Sequence, residues 1–225
     1  MAATPPQTQP KRTPLTRERV LRTAIALADE RGFQELTMRK LAKELGVEAM
    51  SLYNHVANKT DLLDGMIDIV FAEIDAPAAG GDWKGELRKR ALSTRAALNR
   101  HRWAVGQMEG RTPGPGNLGL HDAVLGCLRG AGFSVENTVH AMSVQDAYIY
   151  GFALQQNDMA SETPEDFAAY ATQQAVDYAD VLADYPHLVE VVAGHVAQAG
   201  YDYDSEFLFG LDVILDGLEP LLGAA

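Results

Sequence analysis

Six side chains close together in the chain, Ala49, Met50, Ser51, Tyr53, Asn54 and His55, combine small, hydroxyl, amide and aromatic groups within seven positions of one another. Groups of this kind hydrogen-bond base edges and make methyl contacts in a DNA major groove. The bland alternative is that Tyr53 and His55 pack inward and merely steady a short helix. A second set of chemistry-bearing residues is the scattered histidines, His101, His121, His140, His187 and His195, which could serve acid, base or metal chemistry. Their spacing argues against an enzyme. The chain has no HExxH, no serine nucleophile elbow and no glycine-rich phosphate loop.

The first six residues need a scaffold, and the local sequence supplies one. Thr16 is an N-cap for a helix over 17–31, with Val20, Leu21, Ala24, Ile25, Leu27 and Ala28 in one stripe and Gly32 closing it. Phe33 is expected to plug the core. Thr37 caps a second helix through Leu45, Leu41 and Leu45 point inward, and Gly46 makes the tight turn before a third helix around 48–54. Val47, Leu52 and Val56 anchor that third helix, which leaves the six candidate residues on its outer face. Two short helices meeting at a glycine are a helix-turn-helix.

Helical spacing continues through the rest of the chain, with no alternating run that would make a strand, so the fold class is all-α. A fourth helix over about 59–74 carries Leu63, Met66, Ile67, Val70 and Ile74 on one face and ends in the breaker Ala76-Pro77-Ala78-Ala79-Gly80-Gly81. Beyond it the pattern predicts a helix from Trp83 to Gln107, a loop over 110–116, helical material over 117–130, and a long helix capped by Ser134 that runs to Asn157 through Val139, Met142, Ile149 and Phe152. Thr163-Pro164 marks a further start and Tyr185-Pro186 a break. The last helix, about 205–222, sets Phe207, Leu211, Ile214, Leu215, Leu218, Leu221 and Leu222 at heptad-like spacing, with Asp212, Asp216 and Glu219 off that stripe. The expected organisation is an arm over 1–14, a helix-turn-helix domain over 15–62 and a larger helical domain over 63–225, linked by the fourth helix.

Charge is divided along the chain in the same way. Residues 1–59 carry +4 and residues 60–225 carry −16, within a net charge of −12. A basic surface at one end of an acidic body suits a protein that offers a single face to phosphate. The opening residues lack the apolar segment of a signal peptide and no apolar run approaches 18 residues, so a cytoplasmic location is expected. The single cysteine, Cys127, excludes an internal disulfide and reads first as a small core residue, with a reactive thiol as the alternative.

The stretch from Leu36 to Val56, Leu36-Thr37-Met38-Arg39-Lys40-Leu41-Ala42-Lys43-Glu44-Leu45-Gly46-Val47-Glu48-Ala49-Met50-Ser51-Leu52-Tyr53-Asn54-His55-Val56, resembles the signature of the tetracycline-repressor (TetR) family. Three later stretches resemble the tetracycline-repressor branch: Arg100-His101-Arg102 with Gly110-Arg111-Thr112-Pro113; Gly132-Phe133-Ser134-Val135-Glu136-Asn137 with Ala141-Met142-Ser143; and Phe207 to Glu219. The resemblance implies phosphate contacts at Thr37, Tyr53 and Lys59. It places Arg39, Ala49, Met50, Ser51, Asn54 and His55 at or beside the bases. It further implies a homodimer through the C-terminal helices, operator DNA and a small-molecule effector as partners, no membrane, and no cofactor of the protein's own.

The branch holds its drug as a magnesium chelate through histidines, and here the resemblance argues against that chemistry. The metal-binding histidine falls on Met108, another drug-contacting histidine on Ala147, and further polar contacts on Asp75, Arg90 and Thr94. What remains at the implied cavity is Met66, Ile67, Val70, Leu87, Met108, Thr112, Leu118, Leu120, Val124, Met142, Ala147, Tyr148 and Gly151, a mostly apolar set with no metal ligand. Each of these can equally be plain core. The reading is therefore a repressor that binds a palindromic operator as a homodimer and is released by a small, largely apolar effector; the alternative is a DNA-binding regulator controlled by a protein partner or by no ligand.

Overall fold

A computed structural model describes residues 14–108, 110–158 and 201–223, with parts of the stretch between 173 and 198. The described residues are helical, with no strand among them. The chain divides into two compact units, Met1–Ile67 and Asp68–Ala225. Among the described residues no helix is long and apolar enough to cross a membrane. The predicted arm over 1–14, except its last residue, Pro14, and the start at Thr163-Pro164 lie outside the described residues.

In the first unit α1 spans Arg17–Arg31, capped by the Thr16 hydroxyl and ended by Gly32 at φ 81°. Its stripe from Val20 to Ala28 is buried, as the spacing requires. Phe33 departs from expectation. It begins a short 3₁₀ turn and is only half-buried, with the Lys59 ammonium over its ring. Helix α2 spans Met38–Leu45, and Gly46 follows in the left-handed conformation, φ 67°, ψ 36°. A side chain at that backbone geometry would be strained, so glycine is what allows α3, Ala49–Leu52, to follow at once. This third helix is shorter than the expected 48–54, and residues 53–55 form a turn. Helix α4 runs Lys59–Ala72. Leu63, Met66, Ile67, Val70 and Ile74 are all buried.

In the second unit α5 spans Trp83–Arg100 and α6 Arg102–Val105. The expected single helix to Gln107 is interrupted at His101, whose backbone leaves the helical region (φ −115°, ψ 56°) while its ring is buried with Nε2 3.1 Å from Glu73. Helix α7, Pro115–Ala131, starts two residues earlier than expected because Pro115 sits at the first helical turn, where its missing N–H costs nothing. Helix α8 runs Val135–Asp158, with the Ser134 hydroxyl accepting from Asn137 N–H at 3.1 Å. Val139, read as part of its inward stripe, is exposed. Short helices α9, Ala179–Leu182, and α10, Pro186–Val191, stand either side of the predicted Tyr185-Pro186 break. Helix α11 spans Tyr203–Leu218, capped by Asp202, and gives way to a 3₁₀ turn over Glu219–Leu221.

The core of the second unit is where α5, α7, α8 and α11 meet. Leu87, Val124, Leu128, Phe133, Ile149, Phe207 and Leu211 are fully buried there. Aromatic rings interlock at its centre: Phe152 meets Phe207 edge-on at 5.1 Å, Trp83 meets Phe133 at 5.0 Å, and the Arg95 guanidinium lies 4.8 Å from the Phe207 ring centre. Asp212 and Asp216, off the α11 stripe, pair with Arg88 and Lys84 of α5. Cys127 is buried in α7, and burial pushes its thiol up, which makes it an unreactive core side chain.

Candidate nucleic-acid interface and effector region

The candidate recognition surface follows the turn at Gly46. Leu52 and Val56 are fully buried, so α3 and the turn after it are held from beneath. Met50 is then 75% exposed, Tyr53 is 44% exposed, and Asn54 stands free in solvent. Ala49, Ser51 and His55 are half-buried, and the Ser51 hydroxyl donates to the Glu48 carbonyl at 2.6 Å. Val47, expected as an anchor, is only half-buried. An exposed methionine and tyrosine beside an amide put apolar contact and hydrogen bonding on one surface.

The residues that resemblance assigned to phosphate lie in the same unit. Thr37 is exposed as the N-cap of α2, its hydroxyl accepting from Lys40 N–H at 3.2 Å, and Arg39 is exposed in the first turn. Lys59 opens α4, with its ammonium 5.1 Å from the Phe33 ring centre. Helix N-terminal amides and cations together favour phosphate oxygens.

Sequence reasoning missed the clamp that sets this surface. Arg17, at the start of α1, donates to the His55 carbonyl at 2.8 Å and to both carboxylate oxygens of Asp61 at 2.6 and 3.0 Å. Asp61 also accepts from Ala57 N–H at 2.7 Å. The end of the candidate segment is thus tied to α1 and to the first turn of α4. The Arg17 hydrogen bond holds the Asp61 carboxyl below the usual carboxylate range. Spacing could show Asp61 as a first-turn acid, but not a partner 44 positions away. The unit also carries an open groove of about 470 Å³ along α1, bordered by Arg19, Arg22, Glu30 and Glu44, which contains none of the candidate residues.

The candidate effector residues are spread over both units. Met66 and Ile67 are buried in the first. In the second, Val70, Leu87, Leu120 and Val124 are buried, Met108, Met142, Tyr148 and Gly151 are half-buried, and Thr112, Leu118 and Ala147 are exposed. Tyr148 has a structural task, since its hydroxyl donates to the Phe207 carbonyl at 3.0 Å. A polar cluster within α5 and α8 escaped the apolar reading: Arg90, 2% exposed, reaches Gln145 at 2.9 Å and Asp146 at 2.5 Å. Of the histidines, His101 meets Glu73, His121 meets the Asn117 carbonyl and His195 meets Glu206. Among the described residues no three His, Cys, Asp or Glu side chains gather as metal ligands.

Residues 20–66 match the family described as "Bacterial regulatory proteins, tetR family", and residues 76–222 match "Tetracyclin repressor-like, C-terminal domain". The HTH-type transcriptional repressor DrrR1 of Streptomyces coeruleorubidus is 36% identical, over 96% of this chain and 82% of its own length. The class D tetracycline repressor protein of Escherichia coli is 30% identical, over 93% and 92%. Among solved structures, Streptomyces coelicolor ActR in complex with actinorhodin is similar with a TM-score of 0.74 at 27% identity, over 95% of this chain and 100% of that one. A TetR variant from Acinetobacter baumannii AYE in complex with minocycline gives 0.67 at 29%, over 94% and 96%.

Proposed function

Because the chain belongs to the TetR family of bacterial regulatory proteins, and is a DNA-binding transcriptional repressor of that family, we propose that it binds a palindromic operator as a homodimer and is released by a small-molecule effector. The observation that carries the DNA half is the exposed Met50, Tyr53 and Asn54 on a segment clamped by Arg17 and Asp61. In this reading Ala49, Met50, Ser51, Asn54, His55 and Arg39 face bases, while Thr37, Tyr53 and Lys59 hold phosphate. Residues 15–62 act as the reader and residues 63–225 as the sensor and dimerising part.

Exposed apolar side chains support dimerisation. Phe209 and Val213 stand one turn apart on α11, 70% and 56% exposed, and Val135 and Val139 one turn apart on α8 are likewise uncovered. Surfaces of this kind on a stable protein are interfaces more often than bare faces. The effector half draws on ActR and the Acinetobacter regulator, which were solved with actinorhodin and minocycline. Here α4, which begins in the reader and continues past Ile67, is the element through which effector binding would change the spacing of the two recognition segments.

The test is fluorescence anisotropy with duplexes covering the DNA upstream of the protein's own gene. The wild-type chain binds one of them, more weakly as salt rises from 50 to about 200 mM, and Tyr53→Ala weakens binding about tenfold. Salt-insensitive binding, or an unaffected Tyr53→Ala protein, contradicts the proposal.

A further inference from the structure

Helix α7 starts without a cap of its own. Its N-cap is Gly114, which has no side chain to accept from the amides of the first turn, and Pro115 and Gly116 follow. A helix start leaves N–H groups without an intrahelical partner, and an acceptor on the N-cap residue commonly satisfies one of them. Here the acceptor comes from another helix. Asp68, half-buried on α4, accepts from Asn117 N–H through Oδ1 at 2.9 Å. Asn117 is the third residue of α7, the position that an N-cap side chain would itself satisfy. The carboxylate also stands at the positive end of the α7 dipole.

Two glycines leave room for this arrangement. A Cβ on Gly114 would collide with the Asp68 carboxylate, and a Cβ on Gly116 would collide with the Asp68 backbone carbonyl and crowd Ala72. Gly114 stands at φ −100°, ψ −175°, extended backbone that any residue adopts, so the need for glycine there is one of space. One turn further along each helix the buried Phe71 ring meets the His121 ring, 6.0 Å between centres. A serine or aspartate at position 114 would cap α7 locally. Taking the cap from α4 makes the first turn of α7 and the placement of α4 depend on each other.

The neighbours of this contact give that dependence a use. The loop before α7 carries Thr112, and α7 carries Leu118, Leu120 and Val124, all candidate effector residues. Helix α4 begins at Lys59, a candidate phosphate contact, and runs unbroken through Asp68. At the rise of an α-helix the two residues lie about 14 Å apart on one rod, so a shift at Asp68 is carried to Lys59.

We propose that Asp68 is a positioning residue for operator binding: by capping α7 from α4, its carboxylate holds α4 in the setting that binds DNA. This rests on the regulator reading above and names the contact on which its sensor acts. An effector that displaces the first turn of α7 removes the cap and frees α4.

The experiment measures affinity of the full chain for the upstream duplex by fluorescence anisotropy, with melting temperature and amide hydrogen exchange of α4 followed on the same proteins. Asp68→Ala removes the acceptor and lowers affinity about tenfold. The salt slope stays as in the wild type, because no phosphate contact is lost. Asp68→Asn keeps an oxygen for Asn117 N–H and remains within about threefold of the wild type. Gly114→Ala keeps the carboxylate but pushes it aside, and so weakens binding as Asp68→Ala does. Added to Asp68→Ala it lowers affinity by less than about twofold more, since the atoms it would strike are gone. In the weakened variants the α4 amides exchange faster.

A merely structural role would lower the melting temperature and leave affinity unchanged at temperatures well below it, and that result would overturn the proposal. So would an Asp68→Asn protein as weak as Asp68→Ala, or losses that add in the double variant. A wild-type chain that binds no duplex overturns the regulator reading together with this one, whereas variants that bind as tightly as a binding wild type overturn the role of Asp68 alone.

Discussion

At the scale of single residues, most of the weight falls on contacts that position Tyr53 and its neighbours. The Arg17–Asp61 pair is a two-pronged, charge-assisted hydrogen bond with both partners open to solvent, so screening limits it to about 1 kcal/mol. Asp61 has its carboxyl depressed in the folded chain. A depressed carboxylate adds stability that is complete above its ordinary value and lost as pH falls through the folded value. Asp61→Asn should therefore cost about 1 kcal/mol in urea unfolding at neutral pH, with the difference fading as pH falls below the ordinary carboxylate range. A gap that stays constant with pH would show that the pair does not carry it. Lys59→Ala makes a different prediction: DNA affinity falls on every sequence alike and the salt slope drops by about one unit.

Whole elements obey local rules wherever those rules are sufficient. Thr16, Thr37, Ser134 and Gly46 act where their side-chain chemistry or lack of one predicts, because capping and left-handed turns are decided within four residues. Other departures follow from packing that spacing does not show. His101 breaks the helix begun at Trp83 while its ring is buried against Glu73, 28 positions away, and no periodicity announces that. Val139 fits an inward stripe by spacing yet points outward, since Thr138, Ala141 and Gln145 take the buried side of α8. For Arg90 the resemblance marked a position matched to a drug contact, but its burial and its partners Gln145 and Asp146, 55 and 56 positions away, could not be read from spacing. Close approach between elements is testable in its own right. A Cβ on Gly116 would collide with the Asp68 carbonyl oxygen on α4, and Asp68 Oδ1 already accepts from Asn117 N–H at 2.9 Å. Gly116→Ala should lower stability by about 1–3 kcal/mol, as backbone cannot move aside cheaply; an unchanged melting temperature would show that the first turn of α7 is looser than drawn.

For the whole molecule, division of labour follows division of charge. In the proposed mode of action residues 1–59, at +4, can approach phosphate while the remainder, at −16, is repelled from it. Pairing of two copies would cover Phe209 and Val213 and set two recognition segments at a fixed spacing. Phe209→Asp with Val213→Asp should give a monomer by sedimentation and reduce operator affinity at least about a hundredfold, since two linked half-site contacts become single ones. A variant that remains dimeric would place the interface elsewhere.

The central claim, a two-copy reader of DNA sequence, is tested most directly by selecting bound duplexes from a random-sequence pool with the full-length chain. The account predicts one enriched site made of two inverted half-sites with centres about one helical turn apart, and loss of enrichment with Tyr53→Ala. Enrichment of no sequence, or of a single half-site without its inverted twin, would contradict it.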